Sequence, residues 1–266
     1  MSTRTALVTG ASAGIGMAIA RELARRGVDL VITARRVDRL EALAQELRGL
    51  GRRVEVIAAD LADPSAPERL VSEIAARGLA IDVLVNNAGY GLPGQFLSCE
   101  WPQHADFLEV LLRAPVRLCH LLLPGMRQRR YGRILNIASL AGLVPSSAGH
   151  TLYGATKSFL IKFSQSLGQE FKAEGIHVCA LCPGFTYSEF HDVNGMRAKV
   201  STMPAFMWMD AATVARQGLD AVEAGELIHI NGLWNRFVAV LAKLLPGALA
   251  LALVSRQAHR FRDQST

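Results

Sequence analysis

The chain has 266 residues, half of them apolar, and a formal net charge of +6 at pH 7 from 29 basic and 23 acidic side chains. Its length and apolar content predict one domain with a sizeable core. The basic residues are scattered rather than arranged in a stripe with aromatic neighbours, which argues against nucleic-acid binding.

Strand-like apolar runs alternate with segments of helical periodicity along the chain. Strands are predicted near 5–9, 28–34, 53–59, 81–87, 132–138, 176–182 and 226–230. Helices are predicted near 14–26, 37–49, 65–77, 103–129, 151–174 and 211–224. Continuous apolar strands are typical of a parallel sheet that is covered on both faces. We therefore predict an α/β fold, a doubly wound seven-stranded parallel sheet with helices on both faces, whose ligands bind past the carboxyl ends of the strands.

The first predicted strand runs into a glycine-rich turn. Residues 9–16 read TGASAGIG, with Gly10, Gly14 and Gly16 spaced G-x-x-x-G-x-G before the first helix. Such glycines let backbone N–H groups approach a pyrophosphate at the positive end of a helix. The pattern predicts a Rossmann-type dinucleotide site, and an ordinary glycine-rich turn between strand and helix is the alternative.

A second pattern brings together three candidate catalytic residues. Tyr153 and Lys157 are four residues apart on a predicted helix and share a face, and Ser139 ends the strand before it. A nearby ammonium favours the phenolate, so we expect a lowered pKa at Tyr153 and proton exchange with a substrate oxygen. Ser139 is expected to donate a hydrogen bond to the same oxygen. The alternative is a surface Tyr–Lys pair, because Y-x-x-x-K alone is common.

Three more motifs, Asp60-Leu61, Asn86–Gly89 and Pro183-Gly184, complete a set that resembles the short-chain dehydrogenase/reductase family over nearly the full length of the chain. The resemblance implies hydride transfer between C4 of a nicotinamide and a carbonyl or alcohol carbon, with Ser139, Tyr153 and Lys157 as the catalytic residues. It also implies a homodimer or homotetramer, formed through the two long helices that carry Leu111 and Tyr153. The apolar residues Phe159, Leu160, Phe163 and Leu167 permit such an interface.

The same resemblance implies which residues hold the cofactor. Asp60 is expected to contact the adenine ring, Asn87 to support the central strand, and Lys157 to hold the nicotinamide ribose hydroxyls. Pro183-Gly184 is expected against the nicotinamide and Thr186 at its carboxamide. The full expected set comprises Gly10, Ser12, Gly14, Ile15, Gly16, Arg35, Arg36, Asp60, Leu61, Asn87, Ala88, Gly89, Tyr153, Lys157, Pro183, Gly184 and Thr186.

The end of the second strand indicates which nicotinamide cofactor binds. A site for NAD(H) places an acidic residue there to hold the ribose hydroxyls, and no acid occurs from Thr33 to Val37. Arg35 and Arg36 are instead suited to a 2′-phosphate, because a guanidinium forks onto phosphate. We predict NADP(H) over NAD(H); a basic helix start without a role is the alternative.

One position departs from the family pattern. The family has an asparagine in the long helix after the fourth strand, whose backbone carbonyl contacts a relay water and whose side chain props a local distortion of the helix. Counting back from residues 123–126, LPGM, places Leu111 at that position. Leucine keeps the carbonyl and lacks the prop, so we expect a proton relay that persists in a less ordered form.

The segment Phe185–Met209 is the predicted substrate loop, since it follows Pro183-Gly184 at a strand end. Its large apolar residues are Phe185, Tyr187, Phe190, Met196, Met203, Phe206, Met207, Trp208 and Met209. Met-rich and aromatic surfaces adapt to irregular apolar ligands, which predicts a bulky apolar carbonyl substrate. Packing of the loop onto the domain explains the same composition.

The C-terminal segment is unusual. We divide the chain into a dinucleotide-binding and catalytic domain, 1–232, and an apolar and basic helical extension, 233–266. The run 233–254 is strongly apolar but interrupted by Lys243 and Pro246-Gly247, which predicts two short amphipathic helices rather than a spanning one. Four basic residues follow: Arg256, His259, Arg260 and Arg262. Packing within the protein or against a partner subunit is favoured over peripheral membrane contact through 233–262.

The leading functional hypothesis is an NADP(H)-dependent carbonyl reductase or alcohol dehydrogenase acting on a small molecule. The alternatives are a catalytically weak nucleotide-binding regulatory or scaffold protein, and a membrane-associated reductase of fatty-acyl or sterol intermediates. The histidines are dispersed, and Cys179 and Cys182, although spaced C-x-x-C, lie on a predicted strand with their side chains on opposite faces. No metal site is therefore predicted. The N-terminus has no charged-then-apolar leader, and we expect a cytoplasmic protein, with peripheral membrane attachment as the variant.

Overall fold

The computed structural model describes residues 3–92, 94–146, 148–149, 151–189 and 203–258. The strands are β1 Thr5–Thr9, β2 Asp29–Thr33, β3 Val54–Val56, β4 Val83–Asn86, β5 Gly132–Ile137, β6 Ile176–Cys182, β7 Phe185–Tyr187, β8 Trp208–Asp210 and β9 Ile228–Ile230. Seven of them form one parallel sheet in the order β3-β2-β1-β4-β5-β6-β9, while β7 and β8 pair separately. The doubly wound seven-stranded sheet is therefore confirmed.

Helices cover both faces of this sheet. They are α1 Gly14–Arg25, α2 Val37–Arg48, α3 Ala66–Ala76, α4 Trp101–Leu108, α5 Ala114–Gln128, α6 Thr151–Phe171, α7 Ala211–Ala224, α8 Leu233–Leu244 and α9 Gly247–Ala258. One apolar core lies between the sheet and helices α1, α2 and α7. A second lies on the opposite face, beneath α3, α5 and α6. The inner strands are largely apolar because both of their faces are buried.

The order of the strands positions the site. Strand β1 has β2 on one side and β4 on the other, so the connections leave in opposite directions from this point. Loops at the carboxyl ends of β1 and β4 consequently open a crevice, where ligands of such sheets bind. The glycine turn follows β1, and Asn87 follows β4.

Two predicted elements differ from the observed ones. The strand expected at 53–59 is regular only over Val54–Val56, although the Ile57 backbone N–H still reaches the Ile32 carbonyl at 3.2 Å. The helix expected at 103–129 is interrupted by the π-helical turn Glu109–Arg113 between α4 and α5. The prediction of one continuous helix from apolar periodicity did not resolve this single-turn π-helix.

A buried chain of polar groups ties the sheet to α6. The Asn86 amide donates to Asn136 Oδ1 at 2.8 Å, and the Asn136 amide donates to Ser164 Oγ at 2.8 Å. Ser164 Oγ in turn donates to the Leu160 carbonyl at 2.7 Å. Because buried polar groups are costly unless paired, this network holds β4, β5 and α6 in one relative position. Asn136 of this network lies three residues before Ser139, the first candidate catalytic residue along the chain.

Candidate active site

The fold brings Ser139, Tyr153 and Lys157 together. Ser139 follows β5 and starts a short helical turn, where its hydroxyl accepts a hydrogen bond from the Ala141 N–H at 3.1 Å. Tyr153 and Lys157 lie one turn apart near the start of α6, and Lys157 Nζ lies 5.7 Å from the centre of the Tyr153 ring. The turn packs tightly on α6: a Cβ on Gly142 would come within 2.7 Å of the Lys157 carbonyl carbon.

The pKa of Tyr153 moves opposite to the direction expected from the sequence. Burial raises the pKa of Tyr153, and a hydrogen bond with the Ser139 side chain lowers it by less. The ring packs against an apolar cluster that contains Phe107 and Leu111, where a phenolate is poorly solvated. The expectation of a lowered pKa was wrong because it counted the lysine and not this burial.

Lys157 is almost completely buried. Burial lowers the pKa of its ammonium to about 8, against a smaller opposing effect of Cys182. Its Nζ donates to the Ile137 carbonyl at 2.7 Å, which fixes the end of the side chain beside β5. The lysine is therefore mostly charged at pH 7 and loses its charge as the pH rises through about 8.

The local helix distortion is present in this structure, although Leu111 lacks the side-chain prop of the family's asparagine. Leu111 lies inside the π-helical turn Glu109–Arg113 and is 1% exposed. Its side chain joins the cluster that contains Leu61, Phe107 and Ala114. Apolar packing replaces the side-chain prop, and π-helical turns of this kind are frequent at functional sites.

Replacing Leu111 with asparagine is expected to lower the free energy of unfolding by about 1–3 kcal/mol, because an amide would be buried among apolar side chains. We expect kcat to change by less than about threefold, since the π-helical turn is present with leucine. Denaturant unfolding and steady-state kinetics measure the two effects. Leu111→Met is the control, at a cost below about 1.5 kcal/mol. A large gain in kcat on Leu111→Asn would show instead that leucine impairs turnover.

The glycine turn after β1 fits a phosphate cradle. Gly10 and Gly14 have positive φ angles of 65° and 56°, which favour glycine strongly. A Cβ on Gly10 would lie 2.8 Å from the Ala88 Cα, and one on Gly14 would lie 3.1 Å from the Ser188 Cβ. A Cβ on Gly16 would collide with the Asn87 amide nitrogen. Ile15 is partly buried against the core, which anchors the start of α1.

Asn87 joins the ends of β1 and β4. Its side-chain amide donates to the carbonyls of Thr9 and Gly10 at 2.9 and 3.2 Å. Thr9 Oγ1 accepts the backbone N–H groups of Asn87 and Ala88 at 2.9 and 3.0 Å. These bonds hold the ends of β1 and β4 together and set the distance between the glycine turn and Ala88.

Two arginines after β2 pair with one carboxylate. The Arg36 guanidinium donates to Ser12 Oγ at 3.1 Å and pairs with the Glu189 carboxylate at 3.1 Å. Arg39 pairs with the same carboxylate at 2.5 Å, whereas Arg35 is exposed. Sequence reasoning missed Arg39, although its spacing of three from Arg36 places both on one face of α2. Glu189 has no comparable signal, because only the fold brings it to α2.

Three further residues that were expected to contact the cofactor, Asp60, Leu61 and Gly89, differ in their exposure. Asp60 is exposed, and its carboxylate accepts the Ala62 N–H at 3.1 Å within its own turn. Leu61 is buried in the cluster beneath Tyr153, so any cofactor contact at this position falls to its backbone. Gly89 is exposed, and a Cβ on Gly89 would lie 3.6 Å from Leu111 Cγ.

Pro183-Gly184 lies at the end of β6 beside Ser139. The Leu140 N–H donates to the Pro183 carbonyl at 2.9 Å, and Thr186 Oγ1 donates to the Gly184 carbonyl at 3.2 Å. A Cβ on Gly184 would lie 2.6 Å from the Asn235 amide nitrogen. Asn235 is buried on α8, so the C-terminal segment packs directly behind the Pro-Gly turn. The sequence offered no signal for this contact, which joins residues 51 positions apart.

The predicted substrate loop is described only in part. Phe190 and Met196 lie outside the described residues, as do His259, Arg260 and Arg262 of the tail. The side chain of Arg256 is likewise outside them. In the described part, the Tyr187 and Trp208 rings stack with centroids 4.8 Å apart across the β7–β8 pair.

The face of α6 expected at a subunit interface is largely internal. Leu160 and Leu167 are buried in the core, so they are not available to a partner and that part of the prediction was wrong. Phe159 remains exposed and stacks on Phe163 with centroids 6.0 Å apart. The 3.6-residue period turns positions 160 and 167 toward the sheet when 159 faces outward.

Comparison with known proteins supports one family. Residues 4–197 match the family model described as short chain dehydrogenase. Nodulation protein G of a Rhizobium species is 37% identical over an alignment of 241 residues that covers 87% of this chain and 97% of that protein.

Two solved structures resemble the whole chain. A short-chain dehydrogenase from Sphingobium yanoikuyae in complex with NADPH has a TM-score of 0.80 at 34% identity, covering 99% of this chain and 97% of the other. The bulky-bulky ketone specific alcohol dehydrogenase from Comamonas testosteroni has a TM-score of 0.76 at 32% identity, covering 93% and 97%. From its fold, its motifs and these matches, the chain belongs to the short-chain dehydrogenase/reductase family of oxidoreductases.

Proposed function

We propose that this protein is an NADP(H)-dependent oxidoreductase that interconverts a ketone or aldehyde and its alcohol. The observation that carries the proposal is the convergence of Ser139, Tyr153 and Lys157 beside the Pro183-Gly184 turn. Their side chains supply a hydrogen-bond donor, a proton-bearing phenol and a buried cation. These are the groups that a carbonyl oxygen needs as negative charge develops on it.

Each residue has a distinct part in carbonyl reduction. Tyr153, whose raised pKa keeps it protonated at neutral pH, donates its phenolic proton to the substrate oxygen. Ser139 donates a hydrogen bond to the same oxygen and stabilises the charge that develops there. Lys157 places a positive charge beside the Tyr153 ring and favours the phenolate left after proton transfer. The glycine turn, Lys157 and Pro183-Gly184 would hold a nicotinamide cofactor, which would supply the hydride when bound.

The proposed cofactor is NADP(H) rather than NAD(H). The carboxylate of Glu189 lies between Arg36 and Arg39, which marks this place as an anion site. A ribose 2′-phosphate is an anion with more acceptor oxygens and more charge, and it would meet Arg36, Arg39 and Ser12 there. The Sphingobium yanoikuyae neighbour is in complex with NADPH, which supports the same choice.

The proposed substrate is bulky and apolar. Phe185, Tyr187 and Trp208 form an aromatic group beside the Pro-Gly turn, with the Phe185 and Trp208 centroids 5.4 Å apart. The Comamonas testosteroni neighbour is a ketone-specific enzyme for substrates described as bulky-bulky, which favours this reading. We further propose that the protein is a homodimer or homotetramer, as the family resemblance implies.

The decisive experiment follows NADPH oxidation by the purified protein across a panel of ketones and aldehydes, and NADP reduction across alcohols. We expect turnover that is greatest for large apolar carbonyls. NADPH binding, followed by its fluorescence, without turnover on either panel would favour the alternative, a nucleotide-binding regulatory or scaffold protein. Failure to bind NADPH at all would overturn both.

Carbonyl reduction is expected to depend on pH through Lys157. With a folded-state pKa of about 8, the lysine is charged at pH 7 and neutral at pH 9, whereas the raised pKa of Tyr153 keeps the phenol protonated over this range. The kcat/KM for the carbonyl should therefore be level below about pH 7.5 and fall above about pH 8. In Lys157→Arg, any residual activity should lack this fall, because a guanidinium stays charged.

A further inference from the structure

The most exposed apolar surface in the described part of the chain is one face of α8. Its members lie at positions three, four and seven apart, which is helical spacing. They are Leu233, Trp234, Phe237, Val240, Leu241 and Leu244. Leu233 is 82% exposed and Leu244 76%, so this is an uncovered face and not the edge of the core. Contiguous exposed apolar surface of this kind marks an interaction site.

The opposite face of α8 holds the helix against the domain. Asn235 and Ala239 are buried, and the Asn235 amide donates to the Asn231 carbonyl at 2.7 Å. At 100° per residue, the exposed apolar positions span an arc of about 120°, roughly opposite these two. The apolar face therefore points away from the body of the protein, in a direction fixed by the buried contacts. Packing within the chain, favoured from the sequence, covers one face of the helix and leaves the other bare.

The charges beside this face have one sign. Arg236 and Lys243 are exposed and flank the apolar arc on the same side of the helix. The sequence 233–258 contains three basic residues and no acidic one, and Arg260 and Arg262 follow. Long cationic side chains beside an apolar arc suit a surface that is apolar below and anionic above, since their stems lie along apolar groups while their heads reach phosphates.

We propose that α8 docks the protein on the surface of a membrane that contains anionic lipids. The apolar face enters the boundary between headgroups and acyl chains. Lys243 lies at the phosphates, together with the terminal NH groups of Arg236, whose Nε donates to the Ile230 carbonyl at 2.9 Å. Among the described helices, none combines the length and the apolar character that crossing a bilayer requires. With 12 residues, α8 is suited to lie in the plane of the interface.

The charge pattern disfavours a second copy of the chain as the occupant. In a two-fold contact with antiparallel helices, the same flank of both copies lies on one side, so Arg236 and Lys243 would approach the cations of the partner copy. Residues 233–258 offer no carboxylate to pair with them. An anionic lipid surface provides both the apolar layer and the opposite charge.

Docking in this orientation brings the candidate active site near the lipid. Trp234 is in edge contact with Phe206, with ring centroids 5.2 Å apart, and its neighbour Asn235 packs behind Gly184. The exposed face therefore begins where the segment after Pro183-Gly184 ends. Membrane binding itself does not depend on the proposed reaction, and it can be measured without substrate.

Sedimentation of the full-length protein with vesicles tests the proposal. We expect binding to vesicles of phosphatidylcholine and phosphatidylglycerol in equal parts, weaker binding to phosphatidylcholine alone, and weakening by salt. Phe237→Glu with Leu241→Glu should reduce binding at least about tenfold, because two side chains that enter the bilayer become charged. The matched control is Leu50→Glu with Leu97→Glu, two exposed leucines elsewhere on the surface.

Two further measurements separate the possible outcomes. Arg236→Gln with Lys243→Gln should abolish the preference for anionic vesicles and leave the weaker binding to phosphatidylcholine. Circular dichroism and NADPH binding of each variant establish that it is folded. The proposal is overturned if the natural protein does not sediment with anionic vesicles, or if both glutamate pairs reduce binding equally. A fall in the solution mass of Phe237→Glu with Leu241→Glu, measured by sedimentation equilibrium without lipid, would instead identify the face as an interface between copies.

Discussion

Tyr153→Phe is expected to lower kcat for carbonyl reduction by about 10²- to 10⁴-fold, the usual contribution of a positioned general acid. The change removes one oxygen and keeps the ring, which packs on the cluster beneath α6. Binding of NADPH should remain within about threefold of its natural value, because the glycine turn, Lys157 and the arginine pair are untouched. Single-turnover kinetics with bound NADPH measure the chemical step directly.

The control for this substitution is Tyr131→Phe. Tyr131 is also partly buried, and its hydroxyl donates to Glu223 at 3.3 Å on another part of the surface. Its removal should leave kcat unchanged. Retained turnover in Tyr153→Phe would remove Tyr153 from the proposed mechanism, and loss of NADPH binding together with turnover would point to a structural role.

Arg36→Gln is expected to weaken NADPH binding by about 10- to 150-fold, corresponding to about 1.5–3 kcal/mol for hydrogen bonds to a charged group. The affinity for NADH should change little, since NADH has no 2′-phosphate. Dissociation constants for both nucleotides, measured at one ionic strength, give the comparison. The substitution also removes the Arg36 contacts with Ser12 and Glu189. The free energy of unfolding of the variant is therefore measured as well.

The control for Arg36→Gln is Arg127→Gln, at an exposed arginine on α5 that pairs with Glu174. It should alter neither affinity. Equal losses for NADPH and NADH in Arg36→Gln would contradict a 2′-phosphate site, as would a natural preference for NADH.

Replacing Glu189 is expected to change the affinity for NADPH in the opposite direction. Its carboxylate competes with any other anion for Arg36 and Arg39, so Glu189→Gln should strengthen NADPH binding. The gain should be small, up to about fivefold, because half-exposed ion pairs contribute about 0–1 kcal/mol. In the Arg36→Gln background the gain should shrink, since neighbouring groups that share a partner are not additive.

Much of the fold and site followed from local patterns in the sequence. Each central strand is a continuous apolar run bounded by turns, which is a property of a few adjacent residues. The glycine spacing at Gly10, Gly14 and Gly16 and the four-residue spacing of Tyr153 and Lys157 are equally local. Backbone sterics at positive φ and the helical period act within one turn, so the amino-acid sequence alone predicted these features.

Other features required residues far apart in the chain. The sequence identified Arg36 and not the carboxylate that lies between it and Arg39, because Glu189 is 153 positions away. It indicated proximity of Tyr153 and Lys157 and gave the wrong sign for the pKa of Tyr153, because the apolar cluster around the ring includes Leu111 and Phe107 from another helix. Desolvation depends on everything that surrounds a group, and only the folded chain determines that.

In the C-terminal segment, too, some features follow from the local sequence and others from tertiary contacts. The sequence by itself determined that 233–258 contains two short helices with apolar and basic residues, because periodicity and the Pro246-Gly247 break are local. Only the tertiary structure decided which face of α8 is buried, through the contact of Asn235 with Gly184, and hence which face remains exposed. The physical reason is that an amphipathic pattern fixes the angle between two faces of a helix, whereas the packing partner fixes which of them points outward.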